Sequence, residues 1–95
     1  MPEVRFTIRW PDGKTEECYS PSSVIREHLQ PGHAYPIAEF RDRARTALSI
    51  ASDRVRAKYG FPCSRALGQI ERIETACRAF DDTADAAVGI LSLQE

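Results

Sequence analysis

Residues 35–66, YPIAEFRDRARTALSIASDRVRAKYGFPCSRA, constrain this chain more than any other stretch. Within them Ile37, Phe40, Ala44, Ala47, Leu48, Ala51, Val55 and Tyr59 recur at intervals of three and four, the stripe of a helix that buries one face. Pro36 suits the start of such a helix, where a missing N–H costs nothing. Gly60 is placed to take the left-handed position that closes it, with Phe61 folding back on Val55 and Pro62 forbidding continuation. A second stripe follows on Cys63, Leu67, Ile70, Ile73, Cys77 and Phe80, with Pro62 as its first helical residue. Two amphipathic helices joined by so short a link must pack antiparallel.

The flanking segments read as sheet. Val4, Phe6, Ile8 and Trp10 alternate with Arg5, Thr7 and Arg9, the period of a half-buried strand. Trp10-Pro11-Asp12-Gly13 supplies a type I turn with a bulge, which sets Phe6 opposite Cys18, Ile8 opposite Glu16 and Arg5 opposite Tyr19. Arg5 and Arg9 then flank Glu17 diagonally. The second strand, 14–19, is polar enough to belong at an edge. Ser20-Pro21 reads as the capped start of a short lead-in helix to Leu29, with Val24, Ile25 and Leu29 inward and His28 and His33 as surface or cap residues. Asp81 to Asp85 is a polar loop, and AAVGILSL at 86–93 reads as a closing strand. The expected fold is α+β in the order β-β-α-α-α-β. A three-stranded mixed sheet, order 2-1-3 with the last strand parallel to the first, carries the long antiparallel helix pair on one face.

Composition bounds the rest. Ninety-five residues make one domain, 1–95, burying roughly 60–65% of its extended-chain surface. No run of about 18 apolar residues exists to span a membrane, and the N-terminus carries no basic-then-apolar leader. Three widely spaced cysteines, Cys18, Cys63 and Cys77, argue against a disulfide framework and suit a reducing cytoplasm.

Charge is unevenly spread. Between Arg41 and Arg65 seven basic residues face only Asp42 and Asp53, a surplus of five in a chain whose net charge is −1. Arg41 and Arg45 share a helix face, as do Arg54 and Lys58, so an anionic partner is one reading and a solvated helix face the simpler one. Nucleic-acid binding is disfavoured, because no exposed aromatic pattern is interleaved with these cations and the net charge is not basic.

Motifs that carry chemistry are few. Cys63 is the sharpest: in the first turn of a helix, with Arg65, Arg56 and Lys58 nearby, its thiolate would be favoured. The simpler alternative packs Cys63 into the core along the stripe of Cys77. No cysteine or histidine pair has metal-ligand spacing, and no phosphate loop or nucleophile elbow is present. No cofactor and no metal are expected.

Four strings, WPDG, CYSPSSVI, YPIAEF and ASDRVRAKYGFPCSRA, together resemble a small bacterial family of nitrogen-starvation response proteins. The resemblance covers about residues 1–80, is most specific over RVRAKYGF-x-CSRA and is looser in the closing strand. It implies genes clustered with a nitrilase, a radical SAM protein and an acetyltransferase, and a cytoplasmic accessory role linked to nitrogen metabolism. It implies no established activity, so no catalytic residue carries over. The resulting expectation is a non-catalytic protein that binds a partner protein of that pathway, a second copy of itself as a homodimer, or a small ligand. Its surface would lie at the Gly60 corner on Arg54, Arg56, Lys58, Tyr59 and Arg65, with the sheet face of Arg5, Arg9, Glu17 and Tyr19 as a second candidate. The competing expectation is a small enzyme or modified carrier that reacts through Cys63 or Tyr59.

Overall fold

The structure, a computed structural model, describes residues 2–95. Strand β1 (Val4–Arg9) turns through Trp10-Pro11-Asp12-Gly13 into β2 (Thr15–Ser20). The turn has the expected chemistry: Gly13 sits at φ 88°, its N–H donates to the Trp10 carbonyl at 2.8 Å, and Asp12 Oδ1 accepts the Lys14 N–H at 3.0 Å. The register follows, with Phe6 opposite Cys18, Ile8 opposite Glu16 and Arg5 opposite Tyr19. Arg5 reaches Glu17 at 3.0 Å across the solvated face. As expected, β2 is an edge strand.

The lead-in differs from expectation. Ser20 remains in β2, paired with Val4, so Pro21 is a strand exit and not a first helical turn. A short 3-10 segment, Ser23–Glu27, begins instead at Ser22, whose Oγ accepts the Val24 N–H at 3.3 Å. Val24, Ile25 and Leu29 are buried as expected, and His28 is the C-cap.

Next comes a strand that the sequence pattern does not announce, β3 (Ala34–Pro36), leading without a break into helix α1 (Ile37–Tyr59). Helix α2 (Ser64–Arg78) and strand β4 (Ala87–Gln94) complete the chain. The sheet has four strands in the order β2-β1-β4-β3, and every neighbouring pair is antiparallel. The expected three-stranded mixed sheet is therefore wrong in strand number and in the direction of its last strand. The reason lies in the connection between β3 and β4. Two antiparallel helices return the chain to the end of the sheet it left, so β4 starts beside Pro36, where Ile37 N–H donates to Ala86 O at 3.2 Å, and runs back along β3.

The two helices are antiparallel: Ser52 meets Cys63 at 3.2 Å, Arg45 meets Glu74 at 3.7 Å, and Arg41 meets Asp81 at 3.4 Å, a sequence that rises on α2 as it falls on α1. Ala44, Ala47 and Ala51 on α1 and Ala66 on α2 are completely buried. The core joins Val4, Phe6 and Ile8 of β1, Val88, Ile90 and Leu93 of β4, and the α1 stripe from Ile37 to Leu48. A one-residue shift in the β1–β4 register between Thr7 and Ile8 sets Leu91 aside, so Ile90 and Leu93 both face inward.

Candidate functional site

Helix α1 outruns the layer beneath it. Its 23 residues span about 34 Å at 1.5 Å each, but burial on its stripe stops at Ser52. From Arg56 to Pro62 every residue is exposed, and the molecule is accordingly elongated, 42 × 22 × 18 Å. Gly60 closes the helix at φ 86°, with its N–H donating to Arg56 O at 2.8 Å. Two expectations fail here. Phe61 does not fold back on Val55 but stands 65% exposed, and Tyr59 leaves the buried stripe at 57%. Past Ser52 only Val55 keeps partial burial on this stripe, and Tyr59 forms one wall of an open hollow, so these rings are left to solvent.

Pro62 lies outside α2, and Cys63 is its N-cap, with no side-chain cap hydrogen bond. The thiol is thus neither in the first helical turn nor in the core. It is half-buried, whereas Cys77 is fully buried on the inner side of α2, and Leu67 of the expected stripe is exposed. What holds Cys63 is its backbone: the N–H donates to Ser52 Oγ, a buried hydroxyl of α1, at 3.2 Å.

The cations divide into two groups. Arg41 pairs with Asp81, Arg43 with Glu39 at 2.9 Å, and Arg45 with Asp42 at 2.9 Å and Glu74 at 3.7 Å. The basic surplus at the start of α1 is neutralised within the fold. Arg54, Arg56, Lys58 and Arg65 have no carboxylate partner among the described residues. Arg54 donates to Ser22 Oγ at 3.1 Å and ties α1 to the 3-10 segment. Lys58 lies 5.5 Å from the centre of the Tyr59 ring, and Arg65 stacks 3.7 Å above Tyr19. A guanidinium stacked in this way keeps its N–H edge free for a carboxylate or phosphate.

Arg65 joins the two surfaces that the sequence suggested separately. Helix α2 runs along the outer edge of β2, where Gln69 Oε1 accepts the Tyr19 N–H at 3.1 Å and Arg72 holds Glu16 at 2.9 Å. Tyr19 becomes the wall between two shallow hollows. One, about 350 Å³, is lined by Arg5, Glu17, Cys18, Tyr19, Arg65 and Gln69, with the Cys18 side chain itself buried. The other, about 220 Å³, is lined by Glu3, Tyr19, Pro21, Val55, Tyr59 and Cys63. Burial, then the Glu3 carboxylate, push the Tyr19 phenol above its ordinary range, against the opposing pull of Arg65. Arg54 and Arg56 line neither hollow, and Arg9 joins neither.

A family model described as nitrogen starvation-induced protein NitG matches residues 5–93. The chain belongs to the NitG family. The match extends through β4, so the family likeness includes the closing strand and not only the first 80 residues. No curated protein and no solved structure matches the chain significantly. At its surface this NitG family member carries exposed rings, stacked cations and shallow hollows. Among the described residues no group of three or more His, Cys, Asp or Glu is arranged to hold a metal ion, and no helix is long and apolar enough to cross a membrane.

Sequence reasoning missed Phe61 and Leu67 as surface residues and Glu3 as a neighbour of Tyr19. Nothing in a residue between Gly60 and Pro62 signals exposure, since periodicity stops at the turn. The contact of α2 with the β2 edge had one weak signal, the polar residues Arg65, Gln69 and Arg72 at helical spacing on a face away from the apolar stripe.

Proposed function

We propose that this chain is a non-catalytic binding protein, a single cytoplasmic α+β domain serving an accessory role in a bacterial response to nitrogen starvation. The observation that carries the reading is the overhanging corner, where Tyr59 and Phe61 lie exposed among Arg54, Arg56, Lys58 and Arg65. Exposed rings in the same turns as Arg56 and Lys58, which have no carboxylate partner among the described residues, fit an acidic protein surface with an apolar centre, since aromatic and arginine anchors dominate interface energetics. The partner is a protein of the same pathway or a second copy of the chain; the hollows beside Tyr19 suit a small ligand better than a protein. Binding assays with the proteins that the family resemblance implies are encoded beside it, the nitrilase first, test the reading. Tyr59→Ala and Arg56→Glu are expected to weaken retention about 30-fold each, the effect of a central anchor worth about 2 kcal/mol. A wild-type chain that retains none of these proteins overturns the pathway-partner reading.

The half-buried thiol of Cys63, facing a hollow shared with Tyr19 and Tyr59, favours a second reading as a small enzyme or modified carrier. Intact mass of protein from its native host separates the two: a covalent adduct on Cys63 or Tyr59 favours the carrier, an unmodified mass the binding protein. Nucleic-acid binding stays disfavoured because Arg41, Arg43 and Arg45 are already occupied by carboxylates and the net charge is −1, even though Tyr59 and Phe61, against expectation, are exposed beside Arg56 and Lys58.

A further inference from the structure

The corner has a counterpart at the opposite end of the helical hairpin. There the start of α1 and the 81–86 loop enclose a hollow of about 460 Å³ with an apolar floor of Pro36, Ile37, Ala38 and Phe80 and with Asp81 and Asp85 at its rim. Asp81 is shared with Arg41, whereas Asp82 and Asp85 enter no ion pair among the described residues. One end of the molecule therefore presents exposed rings with unpaired cations, and the other an apolar recess with Asp85 unpaired at its rim and Asp82 unpaired in the adjoining loop, against the single unpaired cation among the described residues there, Arg78 at the end of α2.

We infer that the occupant of the corner is a second copy of this chain. Phe61 of one molecule seats in the recess at the start of α1 of the next, with Arg56 and Lys58 set against Asp82 and Asp85. This rests on the reading of the corner as a binding surface. Because knob and recess lie at opposite ends, the contact is heterologous and repeats from molecule to molecule, forming a ring or an open filament in place of a two-fold dimer. Opposite charges on exposed rims attract over a Debye length, so assembly weakens as salt is raised.

Sedimentation of the full chain, from micromolar to millimolar at low ionic strength, tests the inference. Wild-type mass is expected to rise past that of a dimer and to fall back with salt. Phe61→Asp removes the knob and Ala38→Arg fills the recess; both positions are exposed, and circular dichroism confirms that each variant folds. Each alone is expected to be monomeric. Mixed in equal amounts they are expected to form dimers and nothing larger, since each retains one working surface. Lys58→Glu, on the solvated last turn of α1, is expected to weaken association at least tenfold. A wild-type chain that stays monomeric, a mixture without dimers, or an Ala38→Arg variant that assembles like wild type overturns the inference, the last by revealing a symmetric corner-to-corner contact. The pathway-partner assays are separate. A monomeric chain that still captures a protein through Tyr59 overturns self-assembly alone, and a monomeric chain that captures nothing overturns the corner as well.

Discussion

Trp10 shows how one side chain can secure three elements. Its ring stacks on Phe80 after α2 at 6.0 Å, meets Phe40 of α1 edge-on at 5.8 Å, and donates through Nε1 to Glu16 of β2 at 3.0 Å. Glu16 is in turn held by Arg72, so the one polar atom of the indole is satisfied where the ring enters the core. The cysteines divide as sharply. Burial pushes the Cys18 thiol up to about 12 and the Cys77 thiol up to about 11, whereas Cys63 is only half-buried. Iodoacetamide at about pH 8 is therefore expected to modify the native protein once, at Cys63, and the denatured chain at all three thiols. Peptide mapping that finds Cys18 or Cys77 labelled in the native state would contradict the burial assigned to them.

At the level of elements, α1 depends on how it ends. Gly60 holds φ 86°, and a Cβ built there meets no atom within 4 Å, so any cost of adding one is a backbone cost alone. Gly60→Ala is expected to lower stability by about 1–2 kcal/mol, and Gly60→Asn by less, since asparagine tolerates the left-handed region. Urea unfolding reads this as a lower midpoint with an unchanged slope; an unchanged midpoint would mean the corner adjusts freely. The sheet edges are protected by different means. Gln69 and Arg72 of α2 occupy the outer side of β2, and β3 is three residues long and ends in a proline, so neither edge offers a long template for strand pairing. Self-association through an edge is thereby disfavoured, and the exposed surfaces that remain include the helical corner, the opposite recess, the solvated sheet face and the outer face of α2 around Leu67.

For the molecule as a whole, the raised thiols predict how stability responds to alkali. The unfolded chain releases these protons near 9, the folded chain near 11 and 12. Below about pH 9 both states are protonated and the thiols leave stability unchanged. Above it the folded state holds more protons, so stability falls with rising pH, by up to about 1.4 kcal/mol per unit for Cys18. Cys77 and the raised Tyr19 phenol act in the same direction. Urea midpoints in reducing buffer are expected to drop between about pH 8 and pH 10, with Cys18→Ala removing much of the drop. A flat profile would mean the Cys18 thiolate finds solvent in the folded chain.

Much of this architecture was legible before any coordinates. The alternation of Val4, Phe6 and Ile8 and the turn at Gly13 determined the first hairpin and its register, because both depend on local geometry and a period of two. The spacing from Ile37 to Ala51 and the glycine at 60 determined α1 and its end for the same reason. What only tertiary structure decided was β3, the direction of β4 and the surroundings of Tyr19. Three residues ending in proline carry no periodic signal, and they form a strand only because β4 lies beside them. The candidate site was partly legible: Arg56 and Lys58 follow from the helix that carries them, whereas the periodicity put Tyr59 in the buried stripe and the structure exposes it. Phe61, Cys63 and Arg65 took positions set by how far α1 overhangs the sheet and how α2 lies against β2, relations between segments distant in the chain that no local pattern encodes.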